Sequence, residues 1–211
     1  MLPDNYQFVH KAPVIPVMVI NRIEQAVPMA QALIAGGLTT LEITLRTDCA
    51  LEAIREISNA VSGADIGAGT VCNGAQFDAA VAAGARFVVS PGSSDALFSA
   101  SRSTGIPLLP GGVTATEVMA ISDAGFPVIK FFPAETSGGA AAIKALGGPF
   151  GDAIFVPTGG IGLHNVGDYL KLPNIAAVGG SWILPADAVQ SGDWATVTRL
   201  AAEAVAFANS L

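Results

Sequence analysis

Charge is scarce in this 211-residue chain, where only 13% of residues are Asp, Glu, Lys or Arg against 51% that are hydrophobic. The ten Lys and Arg are scattered, and the net charge is −7 with a pI near 4.6. Tracking a phosphate backbone needs a clustered basic face, so no nucleic-acid partner is expected. Long apolar runs are missing too. Gly, Pro or polar residues interrupt each apolar stretch well short of the roughly 18 residues that cross a bilayer. The mean hydropathy of +0.55 therefore reads as a deep core and a buried subunit interface, with no membrane partner. Cysteine is rare: Cys49 and Cys72 have no metal-ligand spacing and are expected to be free thiols. Histidine is as rare, and His10 and His164 read as solvated or capping groups. No His/Asp/Glu cluster has the spacing of a metal site, so no metal is expected. The opening Met-Leu-Pro-Asp-Asn lacks the charged and apolar halves of a signal peptide, which points to the cytoplasm. Pro/Ser-rich linkers and charge blocks are absent as well, so residues 1–211 are expected to form a single domain.

What is present is a repeating unit. Met29 to Thr44, Asp78 to Ser90 and Glu117 to Phe131 each run as an Ala-rich helical pattern closed by Ala-Gly, followed by a short apolar stretch. The glycine suits the left-handed residue that ends a helix, and apolar runs without polar alternation suit parallel strands buried on both faces. The same reading places strands near Val14–Ile20, Leu41–Thr44, Asp65–Ala68, Phe87–Ser90, Pro107–Leu109, Pro127–Phe131, Ala153–Val156 and Ile175–Val178. Helices are expected to start near Ile23, Ala50, Gly74, Ser94, Thr114, Ser137 and His164, with a last one over Asp193–Phe207. Eight strands alternating with eight helices predict an α/β fold of the (β/α)8 TIM-barrel type, with a short N-terminal helical extension. A doubly wound open sheet is disfavoured, because no Gly-x-Gly-x-x-Gly turn follows Ile20.

Of the four lysines, Lys11, Lys144 and Lys171 lie in terminal or polar helix-like contexts. Lys130 instead sits among Val128, Ile129, Phe131 and Phe132, with Pro133 ending the run. A lysine at a strand end usually keeps its head in water. Here the surroundings predict a poorly hydrated ammonium whose neutral, nucleophilic form is accessible, as a Schiff-base lysine requires.

In a barrel of this kind the C-terminal strand ends form the site. Glu42, Thr44 and Arg46 share parity on an extended chain, as do Lys130 and Phe132. A carboxylate between Leu41 and Ile43 is either a structural ion pair with Arg46 or Lys130, or a proton shuttle beside an amine nucleophile. Gly159-Gly160 and Gly179-Gly180 follow the expected seventh and eighth strands, with Ser181 next. That region is the recurrent phosphate site of the fold, so a phosphorylated substrate is expected.

Several motifs together carry a resemblance: Leu41-Glu-Ile-Thr-Leu-Arg-Thr47, Gly67-Ala-Gly-Thr-Val71, Ser90-Pro-Gly92, Lys130-Phe-Phe-Pro-Ala-Glu135, Pro157-Thr-Gly-Gly-Ile161 and Gly179-Gly-Ser-Trp182. In order and over nearly the whole chain, these resemble the bacterial class I 2-keto-3-deoxy-6-phosphogluconate (KDPG) aldolases, including those that cleave 4-hydroxy-2-oxoglutarate. The resemblance implies that Lys130 forms the Schiff base and Glu42 is the general acid/base, while Arg46 and Thr70 hold the pyruvate carboxylate. It also implies that Pro91 and Phe132 wall the pyruvyl site, and that Gly159, Gly160, Gly179 and Ser181 cradle the phosphate. A homotrimer without metal or organic cofactor is implied, with a place in the Entner–Doudoroff pathway. The chain departs from the family pattern at Pro110-Gly-Gly-Val-Thr114, where Gly112 is expected to loosen the loop. Thr114 is expected to cap the next helix with Glu117.

The function implied is cleavage of KDPG to pyruvate and glyceraldehyde 3-phosphate, extending to 4-hydroxy-2-oxoglutarate. Beside it stand a non-catalytic phosphosugar-binding barrel and two enzymatic alternatives. One is an aldolase for the galactonate epimer; the other is a phosphosugar isomerase in which Glu42 is the base and Lys130 only an electrostatic partner.

Overall fold

In the computed structural model, which describes residues 2–211, β-strands and helices alternate along the chain. The strands are β1 (Val14–Met18), β2 (Thr40–Thr44), β3 (Asp65–Gly69), β4 (Phe87–Val89), β5 (Leu108–Leu109), β6 (Val128–Phe131), β7 (Ile154–Pro157) and β8 (Val178–Gly180). Between and after them lie α1 (Ala26–Ala35), α2 (Ala50–Ala60), α3 (Gly74–Ala82), α4 (Asp95–Thr104), α5 (Ala115–Asp123), α6 (Gly139–Leu146), α7 (Val166–Leu170), α8 (Ala186–Ser191) and α9 (Trp194–Ala208).

The helices end and begin where local chemistry directs. After α1, α3 and α5 the chain reverses through Gly37, Gly84 and Gly125 at φ +93°, +106° and +84°, a region open to glycine without steric cost. Asn73, Ser94 and Asp193 each accept a backbone N–H at the start of α3, α4 and α9. Thr114 and Glu117 form the expected capping box on α5.

All the strand pairs are parallel. Six strands form one curled sheet in the order β5-β4-β3-β2-β1-β8, and β6 pairs with β7. Single bridges, Gly111 to Lys130 and Thr158 to Gly179, join the two sheets at both margins. The ladder is thin beside β5, where Pro107 and Pro110 flank a two-residue strand and neither can donate an N–H. Even so, Lys130 donates its N–H to the Pro110 carbonyl at 2.9 Å, and Gly112 donates to the Lys130 carbonyl at 3.0 Å.

β1 and β2 are buried at every residue, as strands covered on both faces should be. One core cluster lies between strands and helices, with Leu33, Ile54, Phe77 and Ile121 wholly buried. A second lies inside the curl of the sheet and includes Ile15, Phe87, Leu109, Val128 and Val156. The N-terminal extension is a 3-10 helix, Asp4–His10, that closes this inner cluster at the N-terminal strand ends. Phe8 stacks on Phe87 with ring centroids 4.3 Å apart, and Tyr6 Oη donates to the Leu108 carbonyl at 3.0 Å. Burial pushes the Tyr6 hydroxyl pKa up to about 12.

Four expectations need correction. β8 covers Val178–Gly180, not Ile175–Val178, because β1 pairs Val14, Ile15 and Pro16 with Val178, Gly179 and Gly180. Ile175 makes only an isolated bridge to Phe155. β1 stops at Met18, two residues before Ile20, and a separate helix α8 precedes α9. Gly112 does not loosen its loop: its N–H is bonded to Lys130, and a Cβ there would lie 2.8 Å from Ile121 Cδ1. No helix among the described residues is long and apolar enough to cross a membrane.

Candidate active site

Lys130 is the third residue of β6, held by ladder pairing to Val156 and by its two backbone bonds to the loop after β5. Its side chain runs into the curl of the sheet, where the residue is only 4% exposed. There Nζ donates to Glu42 Oε1 at 3.0 Å, and Glu42, in the middle of β2, is 3% exposed. The ion pair foreseen as one reading of Glu42 is thus formed with Lys130 and not with Arg46, and it is the arrangement a proton shuttle beside a nucleophile would need. Space for it comes from β3, where a Cβ at Gly69 would fall 2.1 Å from Glu42 Oε1 and one at Gly67 would fall 2.3 Å from the Phe87 ring. Phe132 turns its ring toward the amine, with Nζ 5.5 Å from the centroid.

Arg46 lies just past β2 and donates from Nε to Thr70 Oγ1 at 3.1 Å. Thr70 follows β3 with φ +59°, a left-handed conformation that a β-branched residue rarely adopts and that costs about 1–3 kcal/mol. Pro91 is set against the same end of the sheet by Gly111, whose Cβ would fall 2.2 Å from the Pro91 carbonyl oxygen. Gly111 in turn bridges to Lys130, so the motif after β4 is packed beside the lysine strand.

A cavity of about 150 Å³ opens at these strand ends. Arg46, Phe132, Gly159, Gly160, Gly179 and Ser181 line it, which brings six of the residues expected from sequence around one space. Val17, Val19, Ile161 and Thr158 complete its wall and were not singled out as site residues from sequence. Thr158 was legible only as part of the Pro157-Thr-Gly-Gly motif, and its Oγ1 stands 2.1 Å from where a Gly179 Cβ would be. A larger hollow of about 480 Å³ at the start of β6, lined by Phe126, Pro127 and Phe150, has Asp152 as its one ionisable lining residue.

The two glycine pairs differ. Gly159 and Gly160 form a loop with both φ values positive, +103° and +77°, as expected for a backbone that approaches a ligand closely. Gly179 and Gly180 lie inside β8, paired with Ile15 and Pro16, and a Cβ on Gly180 would fall 2.1 Å from Trp182 Cζ3. Packing therefore accounts for the second pair as fully as ligand access does. His10 and His164 are both exposed and stand outside the cavity lining.

A family model described as KDPG and KHG aldolase matches residues 6–200. The 2-dehydro-3-deoxy-phosphogluconate aldolase of Dickeya dadantii is 52% identical over 204 residues, covering 97% of this chain and 96% of that protein. The crystal structure of a KDPG aldolase from Legionella pneumophila, with pyruvate captured as a covalent carbinolamine intermediate, superposes with a TM-score of 0.93 at 43% identity, covering 96% of this chain and 98% of that one. That of the Zymomonas mobilis aldolase with 3-phosphoglycerate gives a TM-score of 0.91 at 47% identity, covering 97% and 96%.

Proposed function

Because the chain belongs to the KDPG and KHG aldolase family, we propose that it is a class I aldolase that cleaves KDPG to pyruvate and glyceraldehyde 3-phosphate, with Lys130 as the Schiff-base lysine and Glu42 as its proton carrier. The observation that carries this assignment is the buried contact of 3.0 Å between Lys130 Nζ and Glu42 Oε1. The carbinolamine in the Legionella structure and the phosphorylated ligand in the Zymomonas structure support it from the side of chemistry.

The reaction runs as follows. A proton passes from Lys130 Nζ to the Glu42 carboxylate, and the freed amine attacks the C2 ketone. Glu42 returns the proton to the carbinolamine hydroxyl, which leaves as water and yields a protonated imine. The Glu42 carboxylate then takes the C4 hydroxyl proton, the C3–C4 bond breaks, and its electrons move into the imine to give an enamine. Glyceraldehyde 3-phosphate departs. The enamine is protonated at C3, and hydrolysis releases pyruvate and restores the lysine. The same steps on 4-hydroxy-2-oxoglutarate give pyruvate and glyoxylate. The imine is the electron sink throughout.

The remaining roles follow from position. With Nε tied to Thr70 Oγ1, Arg46 keeps its terminal N–H groups for the pyruvate carboxylate, and the Thr70 hydroxyl hydrogen is free to join them. Pro91 and Phe132 wall the pyruvyl group. Gly159, Gly160, Gly179 and Ser181, which line the cavity, take the phosphate. We read the two sheets, bridged at both margins, as one closed (β/α)8 barrel forming a single domain. We also propose a cytoplasmic homotrimer acting in the Entner–Doudoroff pathway; the surplus of apolar residues supports a buried subunit interface.

The test is incubation with pyruvate and borohydride, followed by digestion and mass analysis. A pyruvyl adduct on the peptide holding Lys130, lost in Lys130→Ala, is expected. A phosphosugar isomerase would trap nothing, and an adduct on another residue would overturn the assignment. Cleavage rates with the gluconate and galactonate epimers then set the C4 preference.

A further inference from the structure

Three side chains hold the Gly159–Gly160 loop from behind and take no part in the aldol chemistry. Asn165, at the start of α7, accepts the Gly162 N–H on Oδ1 at 2.9 Å and donates from Nδ2 to the Gly160 carbonyl at 3.1 Å. Four residues further, on the same face of α7, Tyr169 donates its hydroxyl to Glu135 Oε1. Glu135 closes the circuit: its N–H donates to the Gly159 carbonyl at 3.1 Å, and its Cγ lies 2.6 Å from the place a Gly160 Cβ would occupy. Its side chain therefore rests directly on the loop.

Tyr169 is buried at 1% exposure. Burial, the hydrogen bond to Glu135 and the nearby Glu135 and Asp168 charges all push its pKa up, so it remains a protonated donor at neutral pH. A carboxylate against a loop that receives an anion would repel it unless it is held elsewhere. The Tyr169 hydroxyl is the group that holds it.

We propose that Tyr169, Glu135 and Asn165 form a positioning device that fixes the Gly159–Gly160 loop and draws the Glu135 carboxylate away from an incoming phosphate, so that Tyr169 sets the preference for phosphorylated over unphosphorylated aldols. This rests on the reading of that loop as the phosphate subsite. Tyr169 is a positioning residue here, acting through Glu135 and the loop backbone.

Steady-state kinetics of the full chain on KDPG and on 4-hydroxy-2-oxoglutarate test it, since the second substrate keeps the keto-acid head and lacks the phosphate. Tyr169→Phe should raise KM for KDPG about tenfold, the worth of one hydrogen bond, with kcat within about twofold and the parameters for 4-hydroxy-2-oxoglutarate unchanged. Adding Glu135→Gln to that variant should return KM to within about threefold of the starting protein, because the repelling charge is gone. A loss shared equally by both substrates, a loss in kcat alone, or a double variant no better than Tyr169→Phe overturns the proposal. Should Tyr169→Phe fail to fold, Glu135→Gln alone keeps the acceptor and removes the charge. It should lower KM for KDPG and tighten competitive inhibition by inorganic phosphate, and the opposite direction refutes the idea. An unmodified chain that traps no pyruvate on Lys130 defeats the aldolase reading. One that cleaves KDPG while Tyr169→Phe leaves KM unmoved defeats only this inference.

Discussion

Gly69 and Glu42 compete for the same space: a methyl group on Gly69 would fall 2.1 Å from Glu42 Oε1, 2.6 Å from its Cγ and 2.7 Å from its Cδ. The glycine of β3 is thus what allows a carboxylate to stand beside Lys130. Gly69→Ala is expected to displace Glu42, abolish the salt bridge and reduce aldol cleavage by about 10² or more, as loss of a general base does. Cleavage assays alongside circular dichroism check it; a folded Gly69→Ala protein with full activity would contradict the crowding argument.

Lys130 and Glu42 should be strongly coupled in stability as well as in catalysis. Lys130→Met leaves a carboxylate of 3% exposure without its partner, a defect of about 3–5 kcal/mol. Lys130→Met combined with Glu42→Gln removes both charges and should regain much of that loss, giving a coupling of at least about 1 kcal/mol in urea denaturation. Glu42→Gln alone should still fold and lose about 10²- to 10⁴-fold in cleavage rate. Additive stability effects would mean that the two groups do not interact as described.

Thr70 is expected to trade stability for binding. Asparagine tolerates its φ of +59° better than a β-branched residue does, so Thr70→Asn should stabilise the fold by up to about 1 kcal/mol. It should also weaken the hold on the pyruvate carboxylate, seen as slower borohydride trapping at low pyruvate. Thermal denaturation that shows a fall in Tm would argue against strain at this residue.

The start of α5 carries a pH signature. Backbone N–H groups of Val113 and Thr114, and then the Thr114 hydroxyl, hold the Glu117 pKa below its ordinary value, with slight burial opposing them. A carboxylate lowered in the folded state adds stability above its unfolded pKa, and that share is lost as pH falls through the folded one. Glu117→Gln should therefore flatten the stability profile below about pH 4.5, and Thr114→Ala should cost about 1 kcal/mol at neutral pH. Identical acid profiles for the Glu117→Gln and unmodified chains would refute the cap's contribution.

Local chemistry made most of the fold readable. Ala-Gly endings at Gly84 and Gly125 and the Thr114–Glu117 pair act within a few residues, so sequence carries them whole. β8 was misplaced because the apolar run Ile175–Val178 looks more strand-like than Val178-Gly-Gly, whereas its register is decided by β1, over 150 residues away in the chain. In the site, Lys130 and Glu42 stood out because charge within an apolar run is unusual. Glu135, Asn165 and Tyr169 did not, because each looks ordinary alone and their meeting depends on how α7 packs against the loop after β6.

The 3-10 helix at Asp4–His10 is translated before the strands it packs against, and the surface that receives it is completed only when Phe87 and Leu108 have been made, 102 residues after Tyr6 in the case of Leu108. On the ribosome Tyr6 and Phe8 stay uncovered by these partners until the first five strands have emerged. A chaperone that shelters nascent apolar segments would find a client site there, and a bulky group placed tightly against residue 4 would hinder the closing of the inner cluster more than the pairing of the strands.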